Sequence, residues 1–371
     1  MAPLPQDRLV RKEVALGVIR EFEPPQDHIG LRLLAPLMDV QSDDVIFSYT
    51  RGMTAGLAPA RAEDAESELS GKDESVGSGR ASIIDWANKD HYDISDVTRY
   101  KESLIIGGLA GADAVSLTTR SITEDFNNRL ARDAARRRRQ LDNRLEWLIM
   151  QGLDLGVITY NDGKILFTCD FGRPSPQQDF APPSTYYWDD VAHADQIEDL
   201  LTVKADAKDV YGVDLNRVLI STKVFRTLRR SQKFIDAITG ANPLYKVTGW
   251  GDKTAADFIA QQAEIEFIVY DSVYRQRALG SNTTTNTRFM RDDVAVFLPS
   301  QASVDALDDS IGFGKTLTSP HVEGNWQSGF YEWEKNTGPD PWGQDFGTGI
   351  KAFPVFPHLD LTYVMQVLDP N

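Results

Sequence analysis

The chain has 371 residues and a formal net charge of −16, from 55 acidic and 39 basic side chains. Hydrophobic residues make up 41% and aromatic residues 10% of the sequence, which excludes a disordered protein and allows two or three compact units. The acidic balance argues against a protein that wraps tightly around nucleic acid, because the phosphates would repel it. The single cysteine, Cys169, excludes an internal disulfide framework and fits a reducing compartment.

The first 44 residues predict an extended arm. The stretch MAPLPQDRLVRKEV lacks the apolar core of a signal peptide, and EFEPPQDHIG is rich in proline and charge. No stretch approaches the ~18 consecutive apolar residues of a membrane-spanning helix, so we expect no membrane partner.

A long polar hairpin is predicted after this arm. VIFSYT at 45–50 has the composition of a short strand, whereas residues 61–82 contain almost no large apolar side chain. Strand-like runs stand on both sides of the polar stretch, so we expect a hairpin that projects from the body. A loop of this length has no reason to exist inside one compact domain, and we expect it to lie on a neighbouring subunit.

The next predicted element is one long helix over residues 121–152. Ser121 and Glu124 form a capping-box pattern, and no proline or glycine follows until Gly152, a residue typical of helix ends. Apolar side chains recur at three- and four-residue spacing along it, which predicts one buried stripe. The helix contains four consecutive arginines: Arg136, Arg137, Arg138 and Arg139.

The arginine run favours a solvated or subunit-contacting helix over a helix that reads DNA. Consecutive helical residues point about 100° apart, so the arginines occupy more than one face. Asp133 stands four residues before Arg137. Asp142 stands four residues after Arg138, so ion pairs within the helix are available. A nucleic-acid-binding protein that uses this helix stays an alternative.

The second half of the chain predicts a hairpin and then an α/β unit. NDG at 161–163 is a tight-turn signal between two strand-like runs of 156–173. Residues 194–271 alternate between helix-like and strand-like patterns. Within them, Ser221 is expected to cap a helix and Gly240 to stop one.

Three later segments complete the prediction. Residues 279–288 predict a polar loop, and residues 359–368 place alternate apolar side chains on one face of a strand. Residues 340–350 give no clear structural prediction.

No catalytic, cofactor-binding or metal-binding site is predicted. The five histidines are scattered, and none has a second histidine or a cysteine at metal-ligand spacing. GFGKT at 312–316 fails the phosphate-loop pattern because Asp309 stands where glycine is required, and DFG at 170–172 lacks the other kinase motifs. These patterns indicate a non-catalytic α+β protein with extended arms. An unrecognised hydrolase in the unit at 194–271 stays an alternative.

The order of these elements resembles the major capsid proteins of tailed bacteriophages, and among them the lambda-type capsid protein E family. The resemblance rests on the long helix that ends in a glycine, the strand hairpin that follows with its DFGR run at 170–173, and NRVLIS followed by TKVFRTLRRSQKF. It continues in the tail, from Trp333 through TGPDP to AFPVFPHLDLTYVMQV. It covers roughly residues 30–371. It rests on the order and general character of the elements rather than on long stretches of identical sequence.

This resemblance implies an α+β fold of the Hong Kong-97 type. Its parts would be an N-terminal arm at 1–44, an extended loop at 45–100, a peripheral domain at 101–189 with a spine helix at 121–152, an axial domain at 190–291, peripheral return strands at 292–350 and an axial C-terminal strand at 351–371. It implies pentamers and hexamers that self-assemble in the host cytoplasm into an icosahedral head around double-stranded DNA. A decoration protein, a scaffold protein and a portal would be partners. An encapsulin-like shell with the same fold stays an alternative.

The resemblance also gives the arginine run a role in contacts between subunits. Residues 136–139 would pair with an acidic loop of an adjacent chain. The candidates in that loop are Glu63, Asp64, Glu66, Glu68, Lys72, Asp73 and Glu74. Some members of the wider fold cross-link a loop lysine, and Lys72 stands in the corresponding loop. Lambda-type relatives use a separate decoration protein instead, so we expect no cross-link.

Overall fold

A computed structural model describes residue 19 and residues 23–51, 75–93, 95, 117–161, 165–241, 252–277, 284–305, 312–337 and 343–370. The strands, numbered in chain order, are β1 (Leu37–Asp39), β2 (Asp44–Arg51), β3 (Ser75–Ser82), β4 (Ile84–Asp93), β5 (Val157–Asn161), β6 (Leu166–Asp170), β7 (Leu215–Ile220), β8 (Glu266–Val269), β9 (Val273–Arg277), β10 (Thr284–Arg288), β11 (Val294–Pro299), β12 (Lys315–Thr318), β13 (Phe330–Thr337), β14 (Gly343–Val355) and β15 (Tyr363–Gln366). The helices are α1 (Leu117–Leu155), α2 (Gln196–Tyr211), α3 (Thr222–Arg230), α4 (Gln232–Ala241), α5 (Asp252–Ala263) and α6 (Gln301–Asp305), and a short π-helix (Gly30–Leu34) precedes β1.

Helix α1 is longer than predicted at both ends. It begins at Leu117, so Ser121 lies within the helix rather than at its N-cap, and it continues past Gly152. Gly156 supplies the positive φ of +72° that ends the helix, and its N–H donates to the Gly152 carbonyl at 2.9 Å. Gly152 serves close packing instead, because an added Cβ would meet the Phe356 ring at 3.1 Å.

Helix α1 packs along a five-stranded sheet in which β14 is the central strand. β14 pairs in antiparallel fashion with β4, β13 and β12, and β1 extends the sheet beside β12 in parallel. Leu145, Leu148 and Ile149 of α1 are fully buried in a core that also contains Phe353 of β14. Burial of each such aliphatic side chain contributes about 1.5–3 kcal/mol, so this stripe holds the helix to the sheet.

Strand β14 occupies the segment for which the sequence gives no clear prediction. Trp333 of β13 lies over Gly347, and Tyr331 lies over Gly349, too close for a Cβ at either position. Glycine usually weakens a strand, but here it makes room for the aromatic rings of the neighbouring strand. The packing of the glycines of β14 against the rings of its neighbour β13 therefore decides this element.

The α/β unit is built on a four-stranded sheet with the order β15-β11-β7-β8. β7 and β8 are parallel, whereas β11 is antiparallel to its neighbours β7 and β15. Helix α3 begins where predicted, because the Ser221 hydroxyl accepts from the Val224 N–H at 3.1 Å. Gly240 does not stop the next helix, which continues to Ala241.

The sheet topology moves two of the predicted domain boundaries. Strand β11 lies in the four-stranded sheet, so the α/β unit extends past residue 291. Strand β14 stays in the five-stranded sheet as far as Val355, so a boundary at residue 350 would cut through one strand. The C-terminal strand is also shorter than 359–368, because a turn of 3-10 helix at Leu359–Leu361 precedes β15. Each sheet takes strands from distant parts of the chain, and linear boundaries cannot express that.

Two-stranded ribbons stand beside the two sheets. β2 and β3 pair over their whole length as a hairpin, and residues 52–74 between them lie outside the described residues. The second strand lies at Ser75–Ser82, within the polar stretch 61–82 rather than after it as predicted. β5 and β6 confirm the hairpin predicted at 156–173. β10 pairs with β9, so the predicted polar loop at 279–288 is wrong for its second half. Threonine is a good strand former, and this composition permits the pairing.

Candidate functional site: the charged face of the long helix

The consecutive arginines of α1 have different surroundings, and Arg137 is the most enclosed of the four. Its side chain is buried, with 3% exposure. Its guanidinium donates to Asp90 at 2.8 Å and to Glu332 at 3.0 Å. It also donates to the Thr348 hydroxyl at 2.9 Å. These partners belong to β4, β13 and β14, so one side chain joins helix α1 to three strands.

Arg138 is buried on a different side of the helix. Its Nε donates to the two carboxylate oxygens of Asp142 at 3.0 and 3.1 Å, which confirms the predicted pair one turn apart. The guanidinium carbon lies 3.2 Å from the centre of the Phe330 ring, and Nη1 donates to the Ile19 carbonyl at 3.2 Å. Burial raises the pKa of Asp142 to about 6, although Arg138 favours its charged form.

The outer two arginines lie at the surface. Arg136 is exposed and pairs with Asp90 at 2.9 Å and with Asp133 at 3.3 Å. Asp133 therefore pairs with Arg136, three residues along the helix. The spacing had predicted a pair with Arg137 instead. Arg139 is also exposed.

Burial separates the four arginines of this run into two inner and two outer residues. Arg137 and Arg138 are enclosed within their own chain, where they join its segments, and their contact with a neighbouring subunit stays a prediction. The physical reason for their enclosure is the width of the buried face, which takes in two successive helical positions between the sheet and the segment at Ile19. Arg136 and Arg139 stay candidates for contacts between subunits. The acidic-loop candidates lie outside the described residues: Glu63, Asp64, Glu66, Glu68, Lys72, Asp73 and Glu74.

A buried carboxylate one turn beyond Asp142 joins α1 to two other parts of the chain. Glu146 is fully buried, and it accepts from the backbone N–H groups of Gly30 and Leu31 at 3.0 and 2.8 Å. The Tyr270 hydroxyl, just after β8, donates to it at 2.8 Å. Burial raises the pKa of Glu146 to about 7, against the opposing effect of these hydrogen bonds. The π-helix and the α/β unit are thereby fixed to the same point of α1.

Glu146 is not among the site residues predicted from the sequence. A signal exists, because Arg138, Asp142 and Glu146 recur every four residues beside the apolar stripe, and such a row lies along one side of a helix. Its partners carry no such signal. Gly30 and Tyr270 are 116 and 124 residues away in the chain.

The DFGR run at 170–173 closes the C-terminal end of α1. Arg173 donates to the carbonyls of Leu153 at 2.7 Å and Asp154 at 3.3 Å, which the end of a helix leaves without helical partners. From the α/β unit, Arg291 donates to the Asp154 carboxylate at 2.6 Å. The end of the helix is therefore held by the hairpin and by the α/β unit together.

This arrangement joins segments rather than activating a reactive group. Burial raises the pKa of Cys169 to about 11, so its thiol stays protonated near neutral pH. In the part of the chain that the structure describes, no cluster of three His, Cys, Asp or Glu side chains could hold a metal ion. No helix among those residues combines the length and the apolar character that crossing a membrane requires.

Comparison with known proteins gives one family. A family model described as phage major capsid protein E matches residues 16–307, which is more than half of the chain. No curated protein matches the chain.

Solved structures share the fold at low sequence identity. A prophage protein from E. coli CFT073, described as a capsid protein, has a TM-score of 0.60 at 15% identity, with 96% of this chain and 99% of that chain covered. A phage-related protein from Bordetella bronchiseptica RB50 has a TM-score of 0.53 at 13% identity, with 98% of each chain covered.

The fold and the family match agree. The long helix, the five-stranded sheet and the α/β unit form an α+β protein of the Hong Kong-97 type, as the order of elements predicts. The chain therefore belongs to the phage major capsid protein E family, and it is a structural protein of the phage head shell.

Proposed function

We propose that copies of this chain assemble as pentamers and hexamers into an icosahedral head shell that encloses double-stranded DNA. The family match over residues 16–307 carries this proposal. The β2–β3 ribbon supports this proposal, because neither strand pairs with a third strand among the described residues. An isolated two-stranded ribbon is at best marginally stable in water. In a shell, a neighbouring copy supplies the surface on which it lies.

The two sheets would occupy different places in the shell. The α/β unit would surround the five-fold and six-fold axes, and α1 with the five-stranded sheet would form the periphery between them. One sequence must serve both pentamers and hexamers. The α/β unit and helix α1 therefore need fixed points of contact within each chain. Glu146 and Arg291 support this division, because each one links α1 to another part of the chain.

The remaining parts of the proposal concern partners and chemistry. The chain would have no catalytic activity of its own and would assemble in the host cytoplasm. A scaffold protein, a decoration protein and a portal would be its protein partners. Packaged DNA must slide during filling, and a chain of net charge −16 suits a wall that does not adsorb phosphates.

Two alternatives lose support. Nucleic-acid reading by α1 is disfavoured because the buried guanidinium groups of Arg137 and Arg138 cannot reach a phosphate. An encapsulin-like shell is disfavoured by the match to a phage capsid family.

The test is negative-stain microscopy with analytical ultracentrifugation of the purified chain, alone and co-expressed with the products of neighbouring genes. We expect capsomers, tubes or closed shells. A stable monomer or dimer at high concentration, with a scaffold candidate present, would overturn the proposal.

A further inference from the structure

The charges of the α/β unit are divided between two regions of its sequence. Residues 221–235 and 272–291 together contain nine basic and no acidic side chains. Residues 189–214 contain eight acidic and two basic side chains. The two regions meet where Lys233 pairs with Asp195 at 2.9 Å. Away from that contact, the basic and the acidic side chains form separate surfaces.

The basic surface is formed by the start of α3 and by the β9–β10 ribbon. It consists of Lys223, Arg226, Arg275 and Arg288. The Thr222 hydroxyl and N–H donate to Asp271 just before the ribbon, and Arg288 pairs with the same carboxylate. Lys223 pairs with Asp292, just after the ribbon, at 3.5 Å. These contacts bring helix and ribbon into one surface.

Two arginines of this surface carry charge that no ion pair with the described residues neutralises. Arg226 and Arg275 are exposed, and neither forms an ion pair with the residues that the structure describes. Val273 is 52% exposed on the ribbon, and Val269 is exposed at the end of β8. Arginine beside exposed aliphatic side chains is a composition typical of protein–protein interfaces.

The acidic surface lies on α2. It consists of Glu198, Leu201, Asp206 and Asp209, all of them exposed. Glu198 and Asp209 are eleven residues apart, about three helical turns, so they share one face. Leu201 is 38% exposed beside them, so this surface also combines charged and aliphatic side chains.

The two surfaces are different parts of the α/β unit. The basic surface lies beside edge strand β8, where the Phe225 ring of α3 packs on Phe267 with ring centres 6.1 Å apart. Helix α2 crosses the sheet, because the Tyr363 hydroxyl of edge strand β15 donates to Asp206 at 3.1 Å and Lys204 pairs with Glu264, just before β8, at 3.1 Å. A subunit with two different, complementary surfaces can bind a copy of itself head to tail.

We infer that the basic surface of one copy docks on the acidic surface of the next copy around each capsomer axis. The inference rests on the proposed function and names the interface that would close its rings. Head-to-tail contacts of one kind generate a ring when the rotation between copies closes. Double-stranded DNA is the competing occupant of the basic surface. DNA on the basic surface would leave the acidic surface and the exposed Leu201 of α2 without a partner, so a second copy accounts for more of the structure.

Charge reversal in the full chain tests the interface. Arg226→Glu with Arg275→Glu makes both surfaces acidic, and Glu198→Lys with Asp209→Lys makes both basic. Each pair should lower the capsomer fraction at low salt by about tenfold or more, because like charges then face each other. The chain with all four substitutions should regain capsomers. Lys253→Glu, an exposed position of α5 outside both surfaces, is the control that should assemble like the wild type.

A mixture of the two paired variants gives a sharper test. Each interface is complementary only if the two kinds of chain alternate around the ring, and alternation is possible only in an even-numbered ring. We therefore expect the mixture to form hexamers, tubes or flat sheets, but no pentamers and no closed shells.

The outcomes separate the two proposals. If the wild type forms capsomers and every variant assembles equally well, the interface is wrong and the proposed function stands. If the wild type forms no assembly under any condition, the proposed function itself fails. If the Arg226→Glu, Arg275→Glu chain assembles normally but co-sediments with less of a double-stranded DNA fragment, the basic surface faces DNA and the inference is overturned. Circular dichroism verifies folding. Arg226→Gln with Arg275→Gln replaces a variant that does not fold, with the same direction of effect.

Discussion

Helices α1 and α3 both carry clusters of arginine, yet they use them in opposite ways. In α1, Arg137 and Arg138 are buried and paired within the chain. In α3, Arg226 is exposed and keeps its charge at the surface. A guanidinium leaves water only if it is paired and hydrogen-bonded, because desolvation is costly. Arginine density alone therefore does not identify a partner surface. The exposure of each arginine side chain has to be known as well.

The largest expected effect breaks the buried side of this comparison. Arg137→Met removes the cation that faces Glu332, and loss of one partner of a buried pair costs roughly 3–5 kcal/mol. Urea unfolding of the unassembled chain measures the loss. The double variant Arg137→Met, Glu332→Leu should recover most of the stability, because no uncompensated charge stays buried. A loss below about 1 kcal/mol in the single variant would show that Arg137 behaves as a surface residue.

The next effect concerns pH and the buried carboxyls of α1. Folding raises the pKa of Glu146 from 4.5 to about 7 and that of Asp142 from 3.8 to about 6. The folded chain therefore binds these protons more tightly than the unfolded chain. Their stabilisation is complete below about pH 4 and is lost as the pH rises through 6 and 7. For Glu146 the change is about 3 kcal/mol, at 1.36 kcal/mol per pKa unit.

Urea midpoints between about pH 4 and pH 8 test this linkage. Glu146→Gln cannot titrate, so its stability should vary less with pH across this window than that of the wild type. Identical pH profiles for the two chains would mean that Glu146 does not titrate there. Other carboxyls contribute equally to both chains and cancel in the difference.

A smaller effect tests how closely the π-helix approaches α1. A Cβ at Gly30 would lie 2.7 Å from Glu146 Oε2 and 2.8 Å from the Ile149 side chain. Gly30→Ala should therefore cost about 1–3 kcal/mol in the free energy of unfolding, as overpacking does. Gly152→Ala is the comparison, because its Cβ would meet Phe356 at 3.1 Å and alanine favours the helix. Thermal unfolding should rank Gly30→Ala as the more destabilised chain, and the reverse order would contradict the close approach.

The smallest effect lies on the exposed side of the comparison. Arg136→Ala removes surface ion pairs with Asp90 and Asp133, and exposed pairs contribute roughly 0–1 kcal/mol. The unfolding midpoint should barely move. A loss as large as that of Arg137→Met would remove the distinction between the inner and outer arginines.

The sequence by itself determined the elements that depend on near neighbours in the chain. The long helix follows from an apolar stripe at helical spacing, and the hairpin at 156–173 follows from its turn residues. The cap at Ser221 follows from a serine directly before the helical pattern of α3. Their order also led to the capsid family that the comparison then showed. These features are local because a turn, a cap or a stripe is satisfied within a few residues.

Only the tertiary structure decided which charges are buried and which strands share a sheet. The same helix places Arg137 inside and Arg136 outside, one residue apart, because the five-stranded sheet covers one side of α1. Glu146 became a joint because partners more than 100 residues away converge on it. Strand β14 formed because its glycines admit the rings of Trp333 and Tyr331. Each of these outcomes depends on desolvation and close packing between different elements, which a pattern within one element does not encode.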